Sequence, residues 1–256
     1  MGRLIRTDFH IHTNHSPCGS PEATPLAVAR AAQEAGLEAI AITDHVERPA
    51  DYAAPRAVRE ELRGYAGDLR VYVGCEADVG AGENPSISRE YAAEMDLVLF
   101  SPSHLDRLGP HALDGLGPPQ IAALALAFTR AAIETGYADM IAHPFHVPMT
   151  GVPPFGQLVA AANESDLRDV LAMAADAGVA MEVNPRFLRA DPAAAMWLFR
   201  LFIEAGCKVA INSDSHHPSG IGCRGPRFAT EDDLRAIGIS EEHLFRIEDR
   251  VTRALR

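Results

Sequence analysis

Short apolar runs alternate with helical segments from one end of this 256-residue chain to the other. Each run is brief and rich in branched or apolar residues, as expected of parallel strands that are buried on both faces. Several helical segments end at a glycine just before the next run, which is a common stop signal. The runs predicted as strands are Leu4–Ile11, Leu37–Ile42, Leu69–Cys75, Leu97–Phe100, Met140–Ala142, Val179–Val183 and Val209–Ile211.

The first helix has the clearest boundaries, with Thr24 as N-cap, Pro25 at the first helical position and Gly36 as the stop. Seven strand-then-helix units predict the α/β class, as a distorted seven-stranded (β/α)7 TIM-like barrel. An open doubly wound sheet is the alternative, but the first strand runs into His10 and His12 rather than a Gly-rich phosphate loop. No linker interrupts the chain, so residues 1–256 are predicted to form one domain. The other predicted helices are Pro55–Tyr65, Pro118–Thr135, Glu164–Ala177, Pro192–Ala205, Glu231–Ala236 and Glu241–Ala254.

Charge and composition narrow the possible partners. The formal net charge is −12, and the cations are 22 Arg and the single Lys208. An acidic chain repels long nucleic acids but can still bind a small phosphorylated substrate, especially where bound metals offset the charge. The four cysteines form no C-x-x-C pair, which is typical of a reducing compartment. With no signal peptide and no apolar run long enough to span a bilayer, we expect a cytoplasmic protein with no membrane partner.

Potential metal ligands stand at the ends of the predicted strands. His10 and His12 alternate along the first strand, so their imidazoles point to the same side. In a barrel the carboxyl ends of the strands converge on one face, where enzymes of this architecture build their sites. The sequence therefore predicts a metal site at that face. Its eight predicted ligands are His10, His12, His45, Glu76, His104, His143, Asp214 and His216.

The donor chemistry indicates which ions the site would take. Imidazole and carboxylate groups suit Mn, Fe and Zn, and no cluster of thiolates competes with them. The set exceeds what one tetrahedral ion needs, so we expect two or three divalent ions with Glu76 as a bridge. His111, His146 and His243 do not follow a strand directly and are interpreted as hydrogen-bonded loop residues.

In its order of motifs, the chain resembles the PHP (polymerase and histidinol phosphatase) family. The motifs are Asp8-x-His10-x-His12, Thr43-Asp44-His45, Glu76, His104, His143-Pro144 and Ser213-Asp214-Ser215-His216. The resemblance implies a metal-dependent phosphoesterase in which a metal-bridged water, as hydroxide, attacks phosphorus. It also implies that His45, His104 and His216 complete a cluster whose central ions are held by His10, His12, Glu76, His143 and Asp214.

One loop departs from the family pattern. Members with three metals usually have a further ligand six residues after the second histidine, and that position is Cys18 here. His15 lies three positions earlier, so both residues are candidates for a third ion, with His15 slightly favoured. Asp8 and Asp44 are predicted to contact the metal ligands without binding the ions themselves. Asp8 is expected to orient His10 or His12.

Arginine forks suit phosphate oxygens, and two of them follow the sixth strand. Arg189 and Arg186 are therefore predicted to bind phosphate, Arg189 having the closer spacing to the family pattern, with Arg224 in the last loop as a further candidate. Asp214 is also a predicted catalytic residue. His216 or His217 has suitable chemistry for a general acid.

The favoured function is hydrolysis of a small phosphorylated metabolite, either histidinol-phosphate-like or a nucleotide phosphate. An amidohydrolase is the rival enzyme class, but it often needs a carboxylated lysine, and Lys208 lies at the start of the last strand. The sequence is also compatible with nuclease action on short oligonucleotides and with a non-catalytic metal-binding PHP module.

Overall fold

The computed structural model describes residues 2–79, 84–109 and 111–251, in which parallel strands form two sheets. One sheet has the order β1-β2-β4 and the other β3-β5-β6-β7-β8-β9, and every pairing is parallel. The α/β class predicted from the alternation is confirmed. The strands are β1 Thr7–Ile11, β2 Ala39–Ile42, β3 His45–Val46, β4 Arg70–Val73, β5 Cys75–Asp78, β6 Val98–Ser101, β7 Met140–Ile141, β8 Ala180–Val183 and β9 Val209–Ile211.

The described residues form nine short strands where the sequence predicted seven. β3 is an additional strand just after the predicted second strand, and the predicted third strand breaks at Gly74 and continues to Asp78 as β5. The breaks lie side by side, since the Gly74 amide donates to the Ile42 carbonyl at 2.8 Å. Both breaks fall just before the short strands that carry His45 and Glu76.

The ends of the strand series also meet. Ile11 forms an isolated parallel bridge with Ser215, and the His12 amide donates to the Ser215 carbonyl at 2.9 Å. The chain after β9 therefore lies against the end of β1. This contact brings the first and last groups of predicted ligands together.

The helices follow the strands largely as predicted. Thr24 caps α1 by accepting from the Ala27 amide at 3.3 Å, and Pro25 opens the helix. The short helices α3, α5 and α7 lie in loops that the sequence pattern did not identify. The helices are α1 Pro25–Glu34, α2 Ala53–Leu62, α3 Arg89–Ala92, α4 Pro118–Glu134, α5 Phe155–Ala161, α6 Glu164–Ala177, α7 Phe187–Ala190, α8 Pro192–Glu204 and α9 Glu231–Ile237.

The prediction of a helix over Glu241–Ala254 is wrong for the part that is described. Only the 3₁₀ turns Glu241–His243 and Ile247–Asp249 form there, and residues 252–254 lie outside the described residues. Between the turns the chain is extended, and the Phe245 amide donates to the Val209 carbonyl at 2.8 Å. Phe245 and Ile247, two residues apart, are both buried, which is a strand-like rather than a helical spacing.

Apolar side chains pack on both faces of the sheets. The larger cluster joins the strands to the helices, from Leu4 to Ile239. The smaller one combines strand side chains such as Phe9 and Leu99 with Phe245 and Ile247, and none of its buried members comes from α1–α9. Among the described helices, none has both the length and the apolar character that a membrane crossing requires.

Candidate metal centre

β1 presents two buried imidazoles side by side. The Nε2 atoms of His10 and His12 are 3.1 Å apart, and both side chains are almost fully buried. His10 Nδ1 donates to Glu182 at 2.6 Å, and Nε2 is the nitrogen that faces the cluster. His12 Nδ1 lies 3.3 Å from the Ser16 hydroxyl, which donates to Asp44 at 2.6 Å. Each ring is thus oriented by a carboxylate, directly or through one hydroxyl.

Glu76 of β5 lies at the centre of the site with a fully buried side chain. Neither carboxylate oxygen has a hydrogen-bond partner among the described residues, and a buried charge left in this state is costly unless a cation compensates it. Burial alone would raise the pKa of Glu76, but the surrounding imidazoles hold that pKa well below its usual range. The nitrogens within 4 Å of its oxygens belong to His10 (3.4 Å), His12 (3.5 Å), His45 (3.0 Å), His104 (3.9 Å) and His143 (3.0 Å).

Asp214 enters the same space from the loop after β9. Its Oδ1 lies 3.3 Å from His12 Nε2 and 3.6 Å from His10 Nε2. Asp214 and His143 both have positive φ angles, 49° and 21°, in which non-glycine residues are strained. Such strain persists where the surrounding structure imposes it, commonly at functional sites.

Five of the six separations between the donor atoms of His10, His12, Glu76 and Asp214 match those around a tetrahedral ion. These five separations run from 3.1 to 3.6 Å. Donors bound at about 2.1 Å by a tetrahedral ion lie about 3.4 Å from one another. The residues present therefore fit a metal ion at this position.

Further donors extend the cluster on both sides. All eight predicted ligands come together, in groups of donors that share some of their members. Ions bound to these groups would therefore be neighbours. In each group the ligand atoms lie within 4.8 Å of one another. The groups are His10–His12–Glu76, His10–His143–Asp214, His45–Glu76–His104 and His12–Cys18–His45–His216.

Most of the protonation states suit metal binding. At His10 burial would lower the pKa, but Glu182, Glu76 and Asp214 hold it well above its usual range, so an ion bound there would displace a proton. Burial lowers the pKa of His12, His45 and His216, which keeps these imidazoles neutral and their lone pairs available. Burial would raise the pKa of Asp214, but His10 and His12 hold it well below its usual range. Neutral imidazoles and ionised carboxylates are the forms that bind divalent ions.

The two candidates for a third ion are separated by the structure. His15 turns to the surface and places Nε2 2.8 Å from Glu61 on α2. Cys18 instead belongs to the group with His12, His45 and His216. The slight preference for His15 is thus not supported by the geometry.

The predicted phosphate-binding arginines also differ in position. Arg186 Nη2 lies 2.7 Å from Asp214, at the edge of the cluster. Arg189 contacts the Phe228 carbonyl and Asp233, and Arg224 donates to the carbonyls of Ile221 and Ala31. Of these three arginines, Arg186 is the one placed to meet a substrate at the cluster, although Arg189 had the closer spacing.

Asp8 has a different role from the predicted one. Its oxygens accept from the amides of Ser213 and Gly222 at 3.0 and 2.8 Å, and it forms no hydrogen bond with either imidazole. Burial raises the pKa of Asp8 to about 6 against the effect of these hydrogen bonds. Asp8 therefore anchors the backbone of the loop that carries Asp214 rather than orienting a histidine.

His217 does not face the cluster. Its ring bonds to Ser219 and to Glu22 at 3.0 Å, on the exposed rim. His216, the other candidate for the general acid, stacks on His12 with ring centres 4.4 Å apart.

Several contributing residues were missed. Glu182 orients His10, and Asp78 contacts His104 Nδ1 at 2.7 Å and Arg107 at 3.1 Å. Asp78 follows Glu76 by two residues in β5, so strand periodicity was the available signal. His146 lies edge-on to His143 at 5.7 Å, and burial lowers its pKa to about 3. No periodic signal marks His146, which lies in a loop.

A model of the PHP domain family matches residues 8–186 of the sequence. The chain belongs to the PHP family. A "Probable histidinol-phosphatase" from Deinococcus radiodurans is 29% identical over 243 residues, which is 85% of this PHP chain and 88% of that protein.

A solved structure shows the same PHP fold. It is the histidinol phosphate phosphatase from Lactococcus lactis subsp. lactis Il1403, complexed with zinc, L-histidinol and phosphate. The TM-score is 0.63 with 18% identity, over 92% of this chain and 93% of that one. The parallel α/β architecture is thus shared across nearly the whole PHP chain.

Proposed function

We propose that this PHP chain is a metal-dependent phosphoesterase that hydrolyses a small phosphorylated metabolite of the histidinol-phosphate kind. The observation that carries the proposal is Glu76, a buried carboxylate that lies among five imidazoles and has no hydrogen-bond partner in the described part of the chain. Such a group is stable only with cations beside it. Membership of the PHP family and the Deinococcus radiodurans relative support the proposal that the substrate is a phosphoester.

The centre would hold two or three divalent ions, with Zn, Mn and Fe as the candidates because imidazole and carboxylate accept all three. His10, His12, Glu76 and Asp214 would hold one ion, and His104 and His143 would hold a second together with Glu76. Bound divalent ions lower the pKa of water and stabilise negative charge on phosphoryl oxygens. The zinc in the Lactococcus lactis structure is consistent with this choice.

Arg186 would bind the phosphoryl group beside the metals. Its guanidinium has five donors, and its contact with Asp214 leaves donors for an anion. The guanidinium lies over the Phe187 ring, with Cζ 5.0 Å from the ring centre. The side chain is about a quarter exposed, so a substrate can reach it. His216 stays the candidate for a general acid, and a nucleotide phosphate stays the second candidate substrate.

The position of Lys208 argues against the amidohydrolase alternative, in which a carboxylated lysine often bridges the metal ions. Lys208 is the single lysine of the chain, and its ammonium group donates to the Glu242 carbonyl, on an exposed surface. A carboxylated lysine therefore cannot bridge ions at this cluster. Short oligonucleotides and a non-catalytic role are outcomes that the experiment below distinguishes.

We also propose that the strands form a seven-stranded barrel within a single domain, and that the protein is cytoplasmic. The bridge between Ile11 and Ser215 supports closure, and the larger apolar cluster spans the chain from Leu4 to Ile239. The sparse cysteines, with Cys75, Cys207 and Cys223 buried as free thiols, support a reducing compartment.

A phosphate-release screen tests the function. Protein reconstituted separately with Mn and with Zn is assayed on histidinol phosphate, a nucleoside monophosphate, a phosphodiester and short oligonucleotides. We expect fastest release from histidinol phosphate and a loss of at least about 100-fold in His12→Ala, since even an outer partner of a ligand is worth about 10- to 100-fold. A folded, metal-loaded protein without activity on any of these substrates would overturn the proposal.

A further inference from the structure

We infer that Cys18 is a metal ligand, and that its thiolate, together with His45 and His216, gives the centre an outer position that selects zinc over manganese. The inference deepens the proposed function and rests on its metal centre. Its starting point is the donor group His12–Cys18–His45–His216, whose ligand atoms lie within 4.8 Å of one another.

The loop that carries Cys18 is tied to both histidine-bearing segments. Two residues before Cys18, the Ser16 hydroxyl accepts from the His45 amide at 3.1 Å. Two residues after it, the Ser20 amide donates to the His216 carbonyl at 2.9 Å. These hydrogen bonds fix the loop on both sides of Cys18 to the segments that carry His45 and His216.

The turn at Cys18 is also closely packed. The Gly19 amide donates to the Ser16 carbonyl at 3.0 Å, and a Cβ at Gly19 would collide with the backbone carbonyl of Thr13. The loop is thus folded back onto the end of β1, next to His12. A glycine is needed there because a side chain would push the loop away from the cluster.

The imidazoles of this group are prepared for an ion. His12 lies between the other two rings, 4.5 Å from His45 and 4.4 Å from His216. Nδ1 of His45 is buried, lies 3.0 Å from Glu76 and has no hydrogen-bond partner among the residues that the structure describes. An unpaired buried nitrogen carries a desolvation cost that a bound ion would remove.

The position differs in chemistry and exposure from the rest of the centre. The inner groups contain nitrogen and oxygen donors, which accept Mn, Fe and Zn alike, whereas a thiolate prefers the softer Zn. Cys18 is exposed, and His216 is about one-third exposed, whereas His10 and Glu76 are fully buried. We therefore expect an outer zinc that exchanges with solvent more readily than the inner ions.

Cobalt substitution tests the inference directly, because a thiolate bound to Co²⁺ gives a near-ultraviolet charge-transfer band that nitrogen and oxygen ligands do not give. The protein is loaded with Co²⁺, and separately with Zn²⁺ or Mn²⁺ for elemental analysis. We expect the band in the natural protein and its loss in Cys18→Ser. We also expect Cys18→Ser to retain one fewer zinc ion per chain, with unchanged manganese content.

Two further variants make the result specific. Cys207→Ser is the control, since this thiol is buried and donates to the Leu171 carbonyl at 3.2 Å, away from the cluster. It should keep the band. Cys18→His should restore the zinc content without the band, which distinguishes a ligand from a residue that only shapes the loop.

The outcomes separate this inference from the proposed function. A natural protein without the band, or a Cys18→Ser protein with unchanged zinc content, overturns the role of Cys18 and leaves the inner ions and the phosphatase activity untouched. Conversely, a protein that shows the band but hydrolyses no phosphoester supports the thiolate ligand and contradicts the proposed function.

Discussion

Glu76 is the residue on which the donor groups converge. It belongs to two of the groups, and its oxygens face imidazoles from four different parts of the chain. A neutral side chain of the same shape would keep the packing but lose the charge that attracts the ions. The contribution of Glu76 is therefore electrostatic and can be tested without creating a cavity.

We predict that Glu76→Gln lowers phosphate release by at least about 100-fold and reduces the bound metal, because a ligand should matter at least as much as its outer partners. The measurements are steady-state assays and elemental analysis of the purified protein. His111→Ala is the control, since His111 is exposed and contacts only Asp114 among the described residues. Full activity in Glu76→Gln would contradict the central role of this carboxylate.

A second prediction concerns Glu182, which accepts from His10 Nδ1 at 2.6 Å. Glu182→Gln should weaken metal affinity by about 10- to 100-fold, because the carboxylate fixes the tautomer of the ligand and increases its basicity. Competition with a chelator of known affinity measures the effect. If the affinity is unchanged, His10 does not need this carboxylate to bind the ion.

A third prediction contrasts two arginines that are three residues apart. Arg186→Ala should raise KM for the phosphorylated substrate by about 10- to 100-fold, since a hydrogen bond to a charged group contributes about 1.5–3 kcal/mol. Arg189→Ala should leave KM unchanged, because its partners are Phe228 and Asp233. Metal content is measured alongside, since Arg186 also contacts Asp214. Equal effects of the two substitutions would contradict the assignment.

Among the secondary-structure elements, the broken strands do most to shape the site. β4 and β5 would be one strand without the break at Gly74. A Cβ at Gly74 would collide with the carbonyl oxygen of Leu97, so the neighbouring strand can approach closely only beside a glycine. The break turns the chain just before Cys75 and Glu76.

We therefore predict that Gly74→Ala destabilises the protein by about 1–3 kcal/mol, the usual cost of forcing extra atoms into a packed region. Denaturant unfolding at constant metal loading measures it. Gly64→Ala is the matched control, because the nearest atom to its new Cβ is the Glu61 carbonyl oxygen at 3.9 Å. Equal denaturant midpoints for the two variants would show that the backbone at Gly74 accommodates a Cβ without loss of stability.

At the scale of the whole molecule, the two ends of the chain are fastened to each other. Asp8 binds the loop after β9, and Glu231 at the start of α9 accepts from the amides of Leu4 and Ile5, both at 3.0 Å. These contacts join residues more than 200 positions apart. They hold the first strand against the last, where the metal ligands from both ends must meet.

The stability that Glu231 contributes to this contact between the two ends depends on pH. Burial would raise the pKa of Glu231, but hydrogen bonds from Leu4, Ile5 and Arg235 lower it. A carboxyl with a lowered folded-state pKa contributes stability above its unfolded pKa of about 4.3 and loses it as pH falls through the folded value. We predict that Glu231→Gln costs about 1 kcal/mol at pH 7, and that the difference from the natural protein shrinks below about pH 4.

Denaturant unfolding across this pH range checks the prediction. Glu22→Gln is the control, because the Glu22 side chain is 77% exposed and its carboxylate contacts His217 alone among the described residues. It should change stability by less than about 0.5 kcal/mol at every pH. A pH-independent effect of Glu231→Gln would show that shape rather than charge holds the N-terminal segment.

The sequence by itself was sufficient for the α/β class and for the expectation that the eight donor residues lie close together. Strand and helix periodicity are local properties, and parallel strands bring their carboxyl ends to one side whatever the loops do. His10, Glu76, His143 and Asp214 could therefore be placed together without knowledge of the loops.

Tertiary structure alone decided the details that depend on loop conformation. Arg186 rather than Arg189 reaches Asp214, Cys18 rather than His15 joins the imidazoles, and Asp8 binds a backbone loop instead of a histidine. Each outcome is set by hydrogen bonds between distant segments, which leave no periodic trace in the sequence. Extended packing of Phe245 in place of the predicted helix has the same cause, since its partner Val209 lies on another strand.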